Sequence, residues 1–96
     1  MNRNYRAGRA KEYAAVTTLE RRGWYAQRTA GSHGLFDIAA LHPNGGALFV
    51  QIKRGRKPSV TQDENLAVFA ALKNPHVIRE LWWYPKGQSR PIITVL

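Results

Sequence analysis

The sequence predicts an α/β fold, a single domain over residues 1–96 in which helices flank a mixed central sheet. The first observation is the order of patterns along the chain: a helical segment, three strand-like segments, a second helical segment and two more strand-like segments. The second is length, because 96 residues suffice for one modest core and are too few for two. The third is that 44% of the residues are hydrophobic, which is enough to fill such a core.

The first segment, residues 1–8, is predicted to be a basic N-terminal arm, and the first helix is predicted over residues 9–22. Ala, Lys, Glu, Arg and Leu dominate this helix, and a glycine follows it as a stop signal. Val16 and Leu19 share one helical face with Glu12. A carboxylate on the core side of a helix needs a partner, a metal or access to solvent, so Glu12 is a candidate functional residue.

Three strands and their connections follow. Residues 24–28 form the first predicted strand, and the glycine-containing segment 29–34 is predicted to be a loop. Residues 36–42 and 47–53 form the next two strands, joined by a Pro-Asn-Gly-Gly turn at residues 43–46.

The alternation of side chains in the third strand separates an apolar face from a polar one. Leu48, Val50 and Ile52 share one face, and Gln51 and Lys53 share the other.

The second strand shows the same pattern, since Phe36, Ile38 and Ala40 are predicted to share a face opposite Asp37. Matching the two apolar faces places Asp37 beside Gln51.

The second half of the chain is predicted to contain a basic loop, a helix and two strands. The loop covers residues 54–59, and Thr-Gln-Asp-Glu at 61–64 fits a capping box that opens a helix ending near residue 73. Residues 76–84 and 91–96 are the last two strands.

Two apolar groups in this half have competing interpretations. The aromatic run 82–84 has the composition of a base-stacking surface, but alternate residues of a strand more often face the core or a subunit interface. Leu66, Phe69 and Ala70 form a helical stripe that we assign to the core or to a dimer contact. A homodimer is expected, because a domain this small has little stability to spare.

The charge balance indicates a polyanionic partner. Fifteen Lys and Arg against six Asp and Glu give a net charge of +9, which is typical of proteins that bind nucleic acid. The basic residues cluster before and after the candidate site: Arg3, Arg6, Arg9 and Lys11, then Arg54, Arg56 and Lys57. Such runs favour contacts to phosphates. No recognition-helix or zinc-finger pattern indicates reading of a base sequence.

Several classes of protein are excluded or disfavoured. The chain has no cysteine, which excludes disulfides, thiolate zinc sites and cysteine nucleophiles. The three His lack the close spacing of a zinc site. There is no signal-peptide pattern and no apolar run of roughly 20 residues, so we expect a soluble cytoplasmic protein, from a prokaryotic cell or virus-encoded, without a membrane partner or an organic cofactor.

The polar residues of the hairpin suit the hydrolysis of a phosphodiester. That reaction needs a divalent cation held by oxygen ligands, with a positive charge nearby to assist the water or the transition state. Asp37 and Gln51 offer two oxygen ligands and Lys53 offers an ammonium group on one sheet face. Glu12 adds a second carboxylate from the first helix.

The spacing D-x13-Q-x-K, after a helix that carries Glu, resembles the PD-(D/E)XK nuclease signature. Local sequence resembles the archaeal-type Holliday junction resolvases of that superfamily over about residues 5–57, beyond which only the order of elements agrees. The matching segments are residues 5–8, Glu12, residues 19–24, Arg28, residues 30–32, residues 36–38 and residues 50–53. The resemblance implies a restriction-endonuclease-like fold and a Mg²⁺-dependent endonuclease, with Mn²⁺ as a possible substitute, that resolves four-way DNA junctions in recombination and repair.

The resemblance also implies roles for single residues. Asp37 is then the central metal ligand, and Gln51 binds the metal through its carbonyl oxygen where the family usually has Glu. Lys53 orients the water or stabilises negative charge. Glu12 binds a metal or its water. Ser32 is catalytic and lies, with Arg6 and Arg28, near the scissile phosphate.

Alternatives remain at this point. The nearest alternative is another nuclease of the superfamily, acting on flaps, nicks or ends. Gln51 favours a catalytically inactive DNA-binding module, since a neutral ligand removes one negative charge from the site. Taken singly, Glu12 is compatible with a pairing to Arg9 or Lys11, and Ser32 with capping of a turn.

Overall fold

A computed structural model of the chain describes residues 3–29 and 34–96, with the side chains of residues 8–29 and 34–96. The elements follow the predicted order, and they are α1 (Arg3–Arg21), β1 (Tyr25–Arg28), β2 (Ile38–Leu41), β3 (Ala47–Gly55), α2 (Glu64–Ala71), β4 (Val77–Pro85) and β5 (Ile92–Val95). Within these ranges no helix combines the length and the hydropathy needed to cross a bilayer.

The five strands form one mixed sheet in the order β1-β2-β3-β4-β5. Strands β3 and β4 are parallel, and the other neighbours are antiparallel. A parallel pair requires a crossover connection, and helix α2 lies within it. The predicted mixed sheet with flanking helices is confirmed.

Glycine sets the turn between β2 and β3. Gly45 and Gly46 have φ values of 96° and 106°, a region that residues with a Cβ rarely adopt. The N–H of Gly45 donates to the carbonyl of His42 at 2.9 Å. This turn fixes the register of the hairpin, with Leu41 opposite Ala47 and Ile38 opposite Val50.

Helix α1 packs on one face of the sheet. The buried residues of this core are Ala15, Leu19, Ile38, Ala40, Leu48, Val50, Trp82 and Tyr84. Trp82 and Tyr84 are therefore core residues, as one of the two sequence interpretations predicted, and alternation puts Trp83 on the other face. The indole Nε1 of Trp83 donates to the carbonyl of Gly55 at 2.9 Å.

Helix α2 covers a second core, built from Leu66, Phe69 and Leu81. Phe36 packs here and stacks on Phe49 with ring centroids 4.3 Å apart. The predicted grouping of Phe36 with Ile38 is therefore wrong. Regular β2 structure begins only at Ile38, so the alternation of side chains does not extend back to Phe36.

The first helix also starts earlier than predicted. It begins at Arg3, inside the segment 1–8 that the sequence assigned to a basic arm. Arg and Ala are strong helix formers, and the single Gly8 costs only about 1 kcal/mol, so the helix continues through it.

The second helix is shorter than predicted and has a different cap. It covers Glu64–Ala71, and its N-cap is Asp63. The Oδ1 atom of Asp63 accepts a hydrogen bond from the N–H of Leu66 at 3.0 Å. An aspartate at this position also has a favourable charge for a helix N-terminus, so it replaces the capping box predicted from Thr61.

Candidate active site

The centre of the candidate site is the junction of β2 and β3. Because Ile38 pairs with Val50, the same register places Asp37 opposite Gln51. The N–H of Asp37 donates to the carbonyl of Val50 at 2.7 Å, and its Oδ2 atom accepts from the N–H of Ile52 at 2.8 Å. Strand β3 therefore fixes both the backbone and the carboxylate of Asp37.

Burial raises the pKa of the Asp37 carboxyl above its ordinary value, because a charge is poorly solvated at this position. The hydrogen bond from Ile52 lowers the pKa in part, and the negative charge of Glu12 raises it further. The positive charges of Lys53 and Arg28 act in the opposite direction. Asp37 is thus surrounded by the charges of the other candidate residues.

Gln51 is buried beside Asp37, with 7% of its surface exposed. Its Oε1 atom has no hydrogen-bond partner in the described part of the chain. A buried carbonyl oxygen without a partner costs about 1–3 kcal/mol, so such atoms are uncommon unless a ligand satisfies them.

Lys53 is held by a residue that the sequence analysis missed. Its Nζ atom lies 2.8 Å from Oδ2 of Asp63, the same carboxylate that caps α2 through Oδ1. The bond to Lys53, followed by the bond from Leu66, holds the pKa of Asp63 below its ordinary value. The one signal in the sequence was an acidic residue at the start of the second helix, which was assigned to capping alone.

Glu12 and Arg28 form a second ion pair, with Nε of Arg28 at 2.9 Å from Oε1 of Glu12. The guanidinium also lies 4.6 Å from the ring centroid of Tyr13 and donates to its hydroxyl at 3.2 Å. Glu12 therefore has Arg28 of β1 as an ion-pair partner. These contacts, the bond to Glu12 first, raise the pKa of Arg28, so it stays charged.

Among the contacts described above, none joins the other predicted residues to Asp37, Gln51 or Lys53. Ser32 and the side chain of Arg6 lie outside the described residues. Arg9 is half-buried on α1. Arg54, Arg56 and Lys57 are exposed at the end of β3 and after it. In the ranges 8–29 and 34–96, no three His, Asp or Glu side chains converge as a metal cluster.

Comparison with known proteins gives a likeness among solved structures. No protein-family model and no curated protein matches the chain. Among solved structures, it is similar to Hjc of Archaeoglobus fulgidus, a Holliday junction resolvase from an archaeal hyperthermophile, with a TM-score of 0.54. The chain shares the fold of this archaeal protein. The match covers 93% of this chain and 84% of the archaeal chain at 19% identity, and it confirms the restriction-endonuclease-like α/β fold predicted from the sequence.

The geometry indicates where on the molecule chemistry is possible. Asp37, Gln51 and Lys53 lie at one end of neighbouring strands, with Glu12 and Arg28 on one flank and Asp63 on the other. Oxygen ligands and cations are thus concentrated at one point of a protein whose net charge is +9.

Proposed function

We propose that the chain is a metal-dependent endonuclease that cuts four-way DNA junctions. The observation that carries the proposal is the juxtaposition of Asp37 and Gln51, with Lys53 on the same strand, in a basic domain. The resolvase fold supports the choice of substrate, because the archaeal protein of that fold is a Holliday junction resolvase.

The residues at the centre fit a divalent cation. The Oε1 atom of Gln51 is buried without a partner, and burial raises the pKa of Asp37, which forms no ion pair among residues 8–29 and 34–96. A cation between these oxygens removes both costs, so Asp37 and Gln51 would hold Mg²⁺ or Mn²⁺. Glu12 is a further ligand if it leaves Arg28. Such an ion neutralises phosphate charge and makes a water more acidic.

The chain's own residues then have distinct tasks. Lys53 places its ammonium beside the phosphate, where it orients the attacking water and stabilises the negative charge that develops. Asp63 positions Lys53 through the 2.8 Å ion pair. Arg28 becomes available to bind a phosphate oxygen once Glu12 exchanges its guanidinium for another cation. Attack in line with the leaving oxygen breaks the P–O3′ bond and leaves a 5′-phosphate.

A second candidate function is a junction-binding module without catalysis. Gln51 favours it, because a neutral ligand attracts a divalent cation less than the Glu usual at this position. The arrangement of Asp37, Lys53 and Asp63 favours the nuclease, since a module that only binds DNA has no need for a half-buried carboxylate with a raised pKa.

A homodimer completes the proposal. Two sites related by a two-fold axis match the symmetry of a junction and can nick two opposed strands. Ile92, Ile93 and Val95 support it, because these apolar residues are exposed on the edge strand β5 and association would remove them from water.

The test is to incubate the purified chain with a labelled four-way junction and with a matched linear duplex, in Mg²⁺ and in EDTA. Paired nicks in the junction alone, lost in EDTA, are the expected result. Cutting of flapped or nicked duplexes in preference to junctions indicates a different nuclease of this fold. Tight binding to the junction without cutting in Mg²⁺ or Mn²⁺ overturns the nuclease and supports the binding module.

A further inference from the structure

A basic groove lies beside the candidate site, between helix α1 and the turn that joins β4 to β5. Its volume is about 490 Å³, and Lys11, Arg54 and Lys86 line it together with the ring of Tyr84. None of the described residues that line the groove is acidic. The groove therefore attracts anions more strongly than the net charge of the chain alone would predict.

Bonds between elements hold the walls of the groove in place. The Nζ atom of Lys11 donates to the carbonyl of Gln88 at 3.1 Å and lies 4.9 Å from the ring centroid of Tyr84. These contacts join α1 to the β4–β5 turn. The opposite wall is fixed by the bond from the Trp83 indole to the carbonyl of Gly55.

The groove is close to the candidate site along the chain but opens on the α1 face of the sheet, because Arg54 pairs with Tyr84 and by alternation lies on the opposite face from Lys53. Lys11 precedes Glu12 on α1, and Arg54 follows Lys53 on β3. Because β3 and β4 are parallel, Gly55 lies beside Pro85, and Lys86 comes next in the chain. From Lys53 to Gly55 the strand advances about 7 Å. Successive nucleotides of one strand rise about 3.4 Å, so along the direction of β3 this separation corresponds to about two nucleotides.

We infer that this groove binds the sugar-phosphate backbone of the DNA arm next to the cleavage point, with Lys86 as a phosphate ligand. The inference rests on the proposed function and extends its contact surface to the β4–β5 turn. Lys86 is exposed, and it forms no ion pair within the part of the chain that the structure describes. The net charge of +9 and the absence of acidic side chains from the described lining favour DNA over an acidic peptide as the occupant.

The test measures junction binding in EDTA, where no cutting is expected, over a series of salt concentrations. Lys86→Gln removes one phosphate contact, so binding should weaken by roughly two- to fivefold. The slope of log K against log salt should fall in magnitude by about 0.9. Lys86→Glu should weaken binding further.

Lys73→Glu is the matched control for Lys86→Glu. It changes the net charge by the same amount, and its side chain is also exposed. It lies just before β4, whereas Lys86 lies just after it, and the nine residues of β4 span about 30 Å. Lys73→Glu should therefore leave the affinity close to that of the unaltered chain.

The outcomes separate the two proposals. A loss confined to the Lys86 variants supports the groove. Equal losses of affinity in Lys86→Glu and Lys73→Glu overturn the groove, because net charge then explains the effect. The proposed function survives that result if the unaltered chain still cuts the junction. A chain that binds an acidic peptide more tightly than DNA through Lys86 also overturns the groove. Failure of the unaltered chain to bind any DNA refutes the proposed function itself.

Discussion

The centre of the candidate site and its two flanks differ in how their charges are compensated. Asp37 has a backbone N–H as its hydrogen-bond donor, and the side-chain oxygen of Gln51 has no described partner. On the flanks, Glu12 pairs with Arg28 at 2.9 Å, and Lys53 pairs with Asp63 at 2.8 Å. On each described flank a positive side chain pairs with a negative one, so the two charges compensate each other. At the centre, the negative charge of Asp37 is partly desolvated.

This difference in charge compensation distinguishes residues that stabilise the fold from residues that take part in the reaction. A partly buried carboxylate and an unsatisfied buried carbonyl lower the stability of the folded chain, so their presence at one point is typical of a functional site. The paired charges on the flanks hold side chains in position. Substitutions that remove the unpaired groups at the centre should therefore reduce activity while raising stability, and substitutions on the flanks should lower stability.

Asp37→Asn should have the largest effect. Loss of a direct metal ligand should reduce junction cutting by more than about a hundredfold, since loss of an outer-sphere partner alone costs 10–100-fold. Junction binding should persist, because the phosphate contacts are unchanged. Glu20→Gln removes an exposed carboxylate of α1 and should retain activity. Equal cutting by Asp37→Asn and the unaltered chain contradicts the site assignment.

The same variant should be more stable than the unaltered chain at neutral pH without metal. Burial raises the pKa of Asp37 in the folded state, so its ionisation lowers stability as the pH rises above the ordinary value of 3.8. Asparagine keeps an acceptor for the Ile52 N–H and carries no charge. Urea unfolding in EDTA should show the gain at neutral pH and none below about 3.8.

Gln51→Glu tests the other central residue. A second carboxylate should tighten Mn²⁺ binding, measured by calorimetry, by about tenfold or more, which corresponds to about 1.4 kcal/mol. Without metal, the two adjacent carboxylates should repel each other and lower the unfolding midpoint. Gln51→Leu, which removes the unsatisfied oxygen, should raise that midpoint and lose the metal response. An unchanged metal affinity in Gln51→Glu argues against Gln51 as a ligand.

Substitutions of Asp63 test the flank next to α2. Asp63→Ala removes the helix cap and should lower the free energy of unfolding by about 1 kcal/mol. Asp63→Asn keeps a capping oxygen but loses the ion pair to Lys53, so it should cost less stability and still reduce cutting. An Asp63→Asn chain with normal activity contradicts the positioning of Lys53.

The pH dependence of Asp63 is opposite to that of Asp37. Its pKa is lowered in the folded state, so its contribution to stability is complete above the ordinary value of 3.8 and is lost as the pH falls through the lowered value. The difference in stability between the unaltered chain and Asp63→Asn should therefore shrink in acid.

The smallest change in stability is expected when the ion pair between Arg28 and Glu12 is removed. The side chains of Arg28 and Glu12 are 26% and 22% exposed, so solvent screens their attraction. Glu12→Gln should change the free energy of unfolding by less than about 1 kcal/mol in chemical denaturation. A larger loss would show that this pair stabilises the fold as strongly as the helix cap does.

Strand alternation was sufficient to predict the centre of the site. Leu48, Val50 and Ile52 fix one face of β3, so Gln51 and Lys53 had to lie on the other, and the glycine turn set the register that brings Asp37 opposite Gln51. These relations depend on neighbours in a hairpin, which local sequence determines.

The partners on the flanks depend on tertiary packing, and the sequence did not reveal them. Asp63 reaches Lys53 because Leu66 and Phe69 hold α2 against the sheet, and no local pattern gives that position. Arg28 reaches Glu12 because Leu19 anchors α1 over the other face. The start of α1 was misplaced because charge, which suggested an arm, does not oppose helix formation by Arg.

The single parallel pairing of the sheet has a consequence for how the chain folds. Strands β2 and β3 meet across a short turn, whereas β3 and β4 meet only after the crossover that contains α2 has closed. Such non-local contacts form slowly, because the entropy of loop closure is lost before they stabilise the chain. Trp82 enters the core under α1 with that pairing, so its fluorescence should report the slow step of refolding. DNA-cutting competence should then be regained with that fluorescence change and not before it.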